Sequence, residues 1–299
     1  MAIYINPYTD FGFKKLFGEE GNKDLLIDFL NALLPPHHQI ADLTFQNVEA
    51  VSDTSDERKA FFDIHCKAVS GERFIVEMQK AKVKYFIDRS LYYVTYPIRE
   101  QAQRGDWNFQ LSAIYFIAVL DFWYENEKTA KFLRTITLKD QFNEPFYDKL
   151  QLTYLQMKAF NKEPEELETQ LDKWAYFLKN LESFEGIPQI LNMPVFARAF
   201  NTAKLANFNP QQLQDYETSR LQYIGAKEIA NTAAEDARKE ERAKAEAEKK
   251  EMKDKAEAEK KEMILNFYKN NVPVAIIADS AKKTIEEVLQ IIAKHTDKK

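Results

Sequence analysis

Apolar residues first recur at helical spacing over 22–34 (NKDLLIDFLNALL), where Leu25, Leu26, Phe29, Leu30, Leu33 and Leu34 form one stripe and Pro35-Pro36 ends it. A strand is predicted over 43–51, followed by a polar stretch at 52–59. Two short apolar runs come next, 60–69 (AFFDIHCKAV) and 73–79 (RFIVEMQ), separated by the turn signal Ser70-Gly71-Glu72. The span 85–104 reads as a helix with Pro97 in its interior and Gly105 placed to cap it. The nearly continuous apolar run 111–120 (LSAIYFIAVL) suits a central strand buried on both faces. Strands at 131–138 and 150–157 would extend the sheet at its edges. From 163 to about 229 the pattern turns helical, with Leu167, Leu171, Trp174, Phe177, Leu178 and Leu181 on one face, as a helical cap on the same domain.

The tail has a different texture. An 11-residue unit occurs twice, KAEAEKKEMKD at 244–254 and KAEAEKKEMIL at 255–265. Ala, Glu and Lys favour helix, and Glu followed by Lys four positions later supports it on an exposed face. Eleven residues make about three turns, so Met252 and Met263 share a thin stripe. A solvated single-helix spacer and a coiled-coil homodimer are both compatible with such a stripe. Asn270-Asn271-Val272-Pro273 breaks the helix, and Thr284-Ile285-Glu286-Glu287 is a capping box opening a last helix. The expected organisation is a core at 1–160, its helical extension at 161–225, a long charged helix at 226–265 and a small helix-turn-helix-like module at 266–299.

Composition narrows the function. With 45% hydrophobic and 13% aromatic residues among 299, a packed core is expected. No apolar stretch reaches the ~20 residues of a membrane span, and the first residues have no signal-peptide pattern, so a cytoplasmic protein is expected. The single cysteine, Cys66, excludes an internal disulfide, and His37, His38, His65 and His295 lack zinc-ligand spacing. Any metal would be held mainly by oxygen. A formal net charge of −5 gives no global attraction to nucleic acid, so a polyanion would need locally clustered cations.

The hairpin runs carry the chemistry. Asp63, Glu77 and Gln79 stand among Phe, Ile and Val, and an unpaired ionised group is costly at a half-buried site. Strand alternation puts Asp63, His65 and Lys67 on one face and Arg73, Ile75, Glu77 and Gln79 on another. If those faces coincide, Asp63 pairs with Gln79 and His65 with Glu77 across a three-residue loop, Ser70-Gly71-Glu72. Asp63 and Glu77 would then reach one hard cation such as Mg²⁺, which binds one or two carboxylates, waters and substrate phosphate. Such an ion serves phosphodiester hydrolysis, with Gln79 able to orient the attacking water.

This order of elements, with Asp followed by Glu-x-Gln, resembles the PD-(D/E)xK nuclease superfamily, and in particular the Rpn recombination-promoting nucleases and related transposases. The matching residues are 9–18 (TDFGFKKLFG), Phe62-Asp63-Ile64, Ile75-Val76-Glu77-Met78-Gln79, and Asp88-Arg89-Ser90 with Tyr92-Tyr93. The resemblance implies an α/β restriction-endonuclease-like fold, a mixed sheet flanked by helices. It also implies a Mg²⁺-dependent DNA endonuclease, with Mn²⁺ as a substitute, serving recombination, mobile elements or defence. Asp63 and Glu77 would hold the metal with the carbonyl of Met78. The superfamily lysine of Glu-x-Lys is Gln79 here, which leaves the transition-state cation to Lys14 or Arg89. Lys80, Lys82 and Lys84 are candidates for DNA phosphates, and Asp10, His65 and Tyr93 are secondary site candidates. Two further readings remain: a nucleic-acid-binding or regulatory protein that keeps the fold with weak catalysis, and homodimerisation through 226–299.

Overall fold

A computed structural model describes residues 2–35, 38–50, 60–102, 105–124 and 129–296. The polar stretch expected at 52–59 lies outside the described residues, as do Val51 at the end of its strand, Pro36, His37 and Arg104. The chain forms two compact units, Met1–Ala230 and Asn231–Lys299.

In the first unit, helices α1 (Asp10–Phe17) and α2 (Lys23–Asn31) precede β1 (Leu43–Phe45), β2 (Glu49–Ala50), β3 (Ala60–Phe61), β4 (Ile64–Ala68) and β5 (Arg73–Gln79). Helix α3 (Phe86–Arg99) leads to β6 (Ile114–Leu120), β7 (Leu133–Lys139) and β8 (Pro145–Gln156). Then come α4 (Gln170–Asn180), α5 (Pro194–Ala203) and α6 (Pro210–Lys269), whose first turns belong to this unit. The six-stranded sheet has the order β1-β4-β5-β6-β8-β7, with β2 and β3 paired separately. β4 and β5 are antiparallel, β5, β6 and β8 run parallel, and β7 returns antiparallel. The sheet is therefore mixed.

Alternation along the strands explains two cores. Cys66, Phe74, Val76, Met78, Tyr115, Ile117, Val119 and Leu155 face the helical layer of α1, α2, α4 and α5. Ile75, Ile114, Phe116, Ala118, Leu120, Leu152 and Tyr154 face α3 through Phe86, Val94 and Tyr96. β6 supplies both, which is why it reads as an unbroken apolar run. The cap face is buried at Leu167, Trp174, Phe177, Leu178 and Leu181.

Some boundaries differ from the sequence expectation. The strand over 150–157 is an interior strand between β6 and β7, and it starts earlier, at Pro145; of the two strands expected at the edge, β7 alone lies there. Its exposed first half carries none of the burial that would mark a central strand. Helix α3 ends at Arg99, short of Gly105, because the Gln101 side chain takes the Ser112 N–H and the Pro97 carbonyl and turns the chain towards β6. The long helix begins at Pro210, within the region expected to be cap.

In the second unit, the rest of α6 is exposed until Met263 and Ile264. Ile264 packs with Ile277, Ala278, Ala281, Val288 and Ile292 of α7 (Val274–Ala281) and α8 (Ile285–Thr296). Lys282 ends α7 in the left-handed conformation, and Thr284 and Glu287 cap α8 reciprocally.

Candidate active site

The carboxylates meet where the hairpin ladder stops. β4 and β5 pair Ile64 with Val76, His65 with Ile75, Cys66 with Phe74 and Lys67 with Arg73. One step further, the same register sets Asp63 beside Glu77. The expected pairing of Asp63 with Gln79 and of His65 with Glu77 is thus corrected by two residues along β5, which keeps the same faces together. Gly71 supplies the reason. The loop is Val69-Ser70-Gly71, closed by Ala68 N–H to Glu72 O, and Gly71 has φ +109°. A three-residue hairpin loop needs positive φ at its last position, and glycine takes that position.

Asp63 also lies at a bulge. Phe45 opposes Cys66, whereas Glu49 opposes Phe61, so the strand carrying Asp63 has one residue more than its neighbour. Phe62 is thereby turned to the α3 side, where its ring meets His65, Tyr93 and Tyr96. It does not share the face of Ile64 and Cys66 as plain alternation predicts. Asp63 faces Glu77: its N–H donates to Glu77 Oε1 at 3.2 Å, and its Oδ2 accepts the Met78 N–H at 2.7 Å. In an extended strand the N–H and C=O of one residue point to the same edge, so the Met78 carbonyl points to the edge that β4 has left. The Met78 carbonyl is therefore on the same edge of β5 as Asp63.

Burial sets the electrostatics. Glu77 is 3% exposed. Burial, then the charge of Asp63, push its pKa up to about 8. Asp63 is raised as well, by burial first, against the lowering effect of the Met78 N–H. Gln79 Nε2 donates to Glu77 Oε2 at 2.9 Å, and Arg89 NH2 stands 3.7 Å from the same oxygen. The Arg89 guanidinium also lies over the Tyr93 ring, 5.4 Å from its centroid. Buried Glu77 and partly buried Asp63 meet one monodentate arginine contact, with the Lys14 charge acting on Asp63 from farther away, and a divalent cation fits the remaining deficit. Among the described residues no cluster of three or more His, Cys, Asp or Glu side chains suits a metal. Two carboxylates and a carbonyl are nonetheless the donor set that Mg²⁺ uses when waters and phosphate complete its shell.

A cavity of about 410 Å³ opens on this pair, and Asp10, Gln79, Lys80, Arg89 and Tyr93 line it. Lys14 does not; it pairs with Asp10 at 3.0 Å, both half-exposed, and lines a neighbouring cleft that shares Asp10 and Asp63. Helix α1 is set by Thr9, whose Oγ1 accepts the Gly12 N–H, and by the close approach of Gly12 to the Asn6 carbonyl, which leaves no room for a Cβ. His65 lies outside the cavity, beside Glu100 and Asn47, and burial lowers its pKa. Lys82 and Lys84 are exposed outside it, with Lys84 over the Tyr85 ring. Tyr8 and Ala226 line the cavity without having been singled out in the sequence. Nothing in their local pattern marks them, because α6 reaches the site only through the tertiary fold.

No helix among the described residues is long and apolar enough to cross a membrane. Compared with protein families, the chain matches the model of the PD-(D/E)XK nuclease family transposase over residues 7–233. No curated protein and no solved structure matches it.

Proposed function

This chain belongs to the PD-(D/E)XK nuclease family transposases, and on that footing we propose that it is a Mg²⁺-dependent DNA endonuclease of the Rpn recombination-promoting kind, acting in the cytoplasm. The observation that carries the reading is the pair Asp63 and Glu77, side by side where the β4–β5 ladder ends, Glu77 buried and Asp63 partly buried, with too little positive charge to balance them. Asp63, Glu77 and the Met78 carbonyl would hold Mg²⁺ or Mn²⁺. When bound, the ion supplies Lewis-acid activation of the phosphodiester and a nucleophilic water at neutral pH.

The remaining chemistry belongs to the chain. Gln79 holds Glu77 Oε2 by its amide and offers the rest of that amide to the attacking water. Arg89, fixed over Tyr93, supplies the positive charge that the superfamily lysine gives elsewhere, for the oxygens of the phosphate in the transition state. Lys14 is the less suited cation, being tied to Asp10. Lys80 lies at the cavity and contacts the DNA backbone, with Lys82 and Lys84 extending that contact. Substrate phosphate would thus meet the ion held at the carboxylate pair and the Arg89 guanidinium beside it.

Cleavage of a supercoiled plasmid, followed across Mg²⁺, Mn²⁺ and EDTA, tests the reading. The expected result is nicking that EDTA abolishes and that Asp63→Asn loses while remaining folded, since asparagine keeps an acceptor for the Met78 N–H. Retained cleavage by folded Asp63→Asn, or DNA binding without any cleavage in every metal, would overturn it. For assembly, we read 226–299 as the pairing segment of a homodimer, supported by Ile276, Ile285 and Leu289, which lie exposed on α7 and α8. An unchanged mass by light scattering after truncation at residue 230 would exclude that role.

A further inference from the structure

A second polar cluster stands at the end of the neighbouring strand, and the reaction as outlined leaves it unused. Asp121 follows β6 directly, and its N–H donates to the Gln79 carbonyl at 3.0 Å. Its side chain is only 14% exposed, yet it accepts the Tyr223 hydroxyl at 2.6 Å and meets Lys227 Nζ at 2.6 Å. Lys227 Nζ also donates to the Asp121 carbonyl at 3.3 Å. Tyr223 and Lys227 are one turn apart on α6, and Ala226 beside them forms a wall of the catalytic cavity. The Asp121 carboxylate therefore ties the end of β6 to the helix that closes the site, and its backbone N–H ties that end to β5.

The geometry carries this tie to the metal-binding groups. The Gln79 carbonyl points to β6, where Asp121 holds it, and successive carbonyls of a strand point to opposite edges. Fixing the Gln79 peptide consequently fixes the direction of the Met78 carbonyl, towards Asp63. It also fixes the backbone from which the Gln79 amide reaches Glu77. This bond is the last rung of the parallel β5–β6 ladder, beyond Gln79 opposite Leu120, and the side-chain lock on Asp121 holds that rung at the open end of the sheet; hydrogen-bond partners behind metal ligands commonly orient them.

We propose that Asp121 is a positioning residue of the cation site, holding the Gln79 peptide through its N–H while Tyr223 and Lys227 of α6 lock its carboxylate. This rests on the metal-dependent reading above. The test uses the full chain and measures Mn²⁺ binding directly, by loss of the free-ion signal in electron paramagnetic resonance, beside plasmid nicking. Asp121→Asn keeps the N–H and one acceptor but loses the charge that Lys227 needs, and is expected to weaken Mn²⁺ binding roughly 10–100-fold. Nicking should recover as Mn²⁺ is raised, at a melting temperature close to that of the parent. Lys227→Met should follow Asp121→Asn, and Lys227→Arg should restore parental binding, which loss of packing alone would not produce. If Asp121→Asn does not fold, Tyr223→Phe and Lys227→Met carry the test. Parental Mn²⁺ affinity in the folded variants overturns the positioning role while leaving the nuclease reading intact. Failure of the parent to bind Mn²⁺ or cleave overturns both.

Discussion

Replacing Glu77 by glutamine should make the metal-free protein more stable, although the residue lies at the centre of the site. In the unfolded chain Glu77 ionises near 4.5, and in the folded protein burial and the charge of Asp63 delay this to about 8. Between those values the folded state holds a proton that the unfolded state has released, so stability falls as pH rises. At ~1.4 kcal/mol per pH unit, the interval from 4.5 to about 8 amounts to about 5 kcal/mol. Part of this is repulsion shared with Asp63, and removing Glu77 also costs Arg89 its partner. A net gain of about 2 kcal/mol above pH 8 is therefore expected for Glu77→Gln, or ~4–8 °C for a unit of this size. Glutamine keeps an oxygen for the Asp63 N–H, and Gln79 can turn its own amide oxygen towards the new NH₂. Scanning calorimetry in EDTA at pH 5 and pH 9 provides the measurement, because near pH 5 parent and variant should melt almost together. Addition of Mg²⁺ should then raise the melting temperature of the parent alone. A variant less stable at pH 9, or a gap of the same size at both pH values, would refute the argument that Glu77 is a strained, under-compensated acid.

Binding of Mn²⁺ should tighten about tenfold per pH unit below the Glu77 pKa, since the ion displaces one proton; calorimetric affinities independent of pH between 6 and 8 would contradict this. Arg89→Ala should lower kcat about 100-fold with Mn²⁺ binding retained, and Lys14→Ala should change it only a few-fold. Single-turnover cleavage would show the reverse order if Lys14 supplied the charge. Gly12→Ala should destabilise by about 1–3 kcal/mol, because its methyl would collide with the Asn6 carbonyl that Thr9 also holds. Denaturant unfolding with a parental midpoint would show that this approach is not close.

Hydrophobic period revealed the layers because burial on one face or two is a local property of a strand or helix. β6 and the cap face of α4 are read directly from that pattern. The parity that puts Asp63 and Glu77 together was also legible, whereas the register was displaced because the loop was placed on Glu72 instead of ending on Gly71. The bulge at Phe62 and Asp63 had no local signal; it arises where the strand leaves β1 and pairs through β2 and β3. Asp121 could have been noticed as a carboxylate just after a buried parallel strand, the end at which open α/β sheets bind ligands. Its partners Tyr223 and Lys227 are about 100 residues away in sequence, and only the docking of α6 joins them.

The two carboxylates differ in what else they do. Asp63 closes the sheet by taking the Met78 N–H, whereas Glu77 takes the Asp63 N–H and strains the core around it. A lineage released from selection for cleavage would therefore decay asymmetrically. Position 77 drifts first, to an amide, which relieves the strain and still accepts the Asp63 N–H, while position 63 remains confined to residues that can still accept the Met78 N–H. A non-cleaving relative on this scaffold would be recognised by a retained Asp or Asn at 63 opposite a lost glutamate, the mark of an aspartate that is also a splice in the sheet.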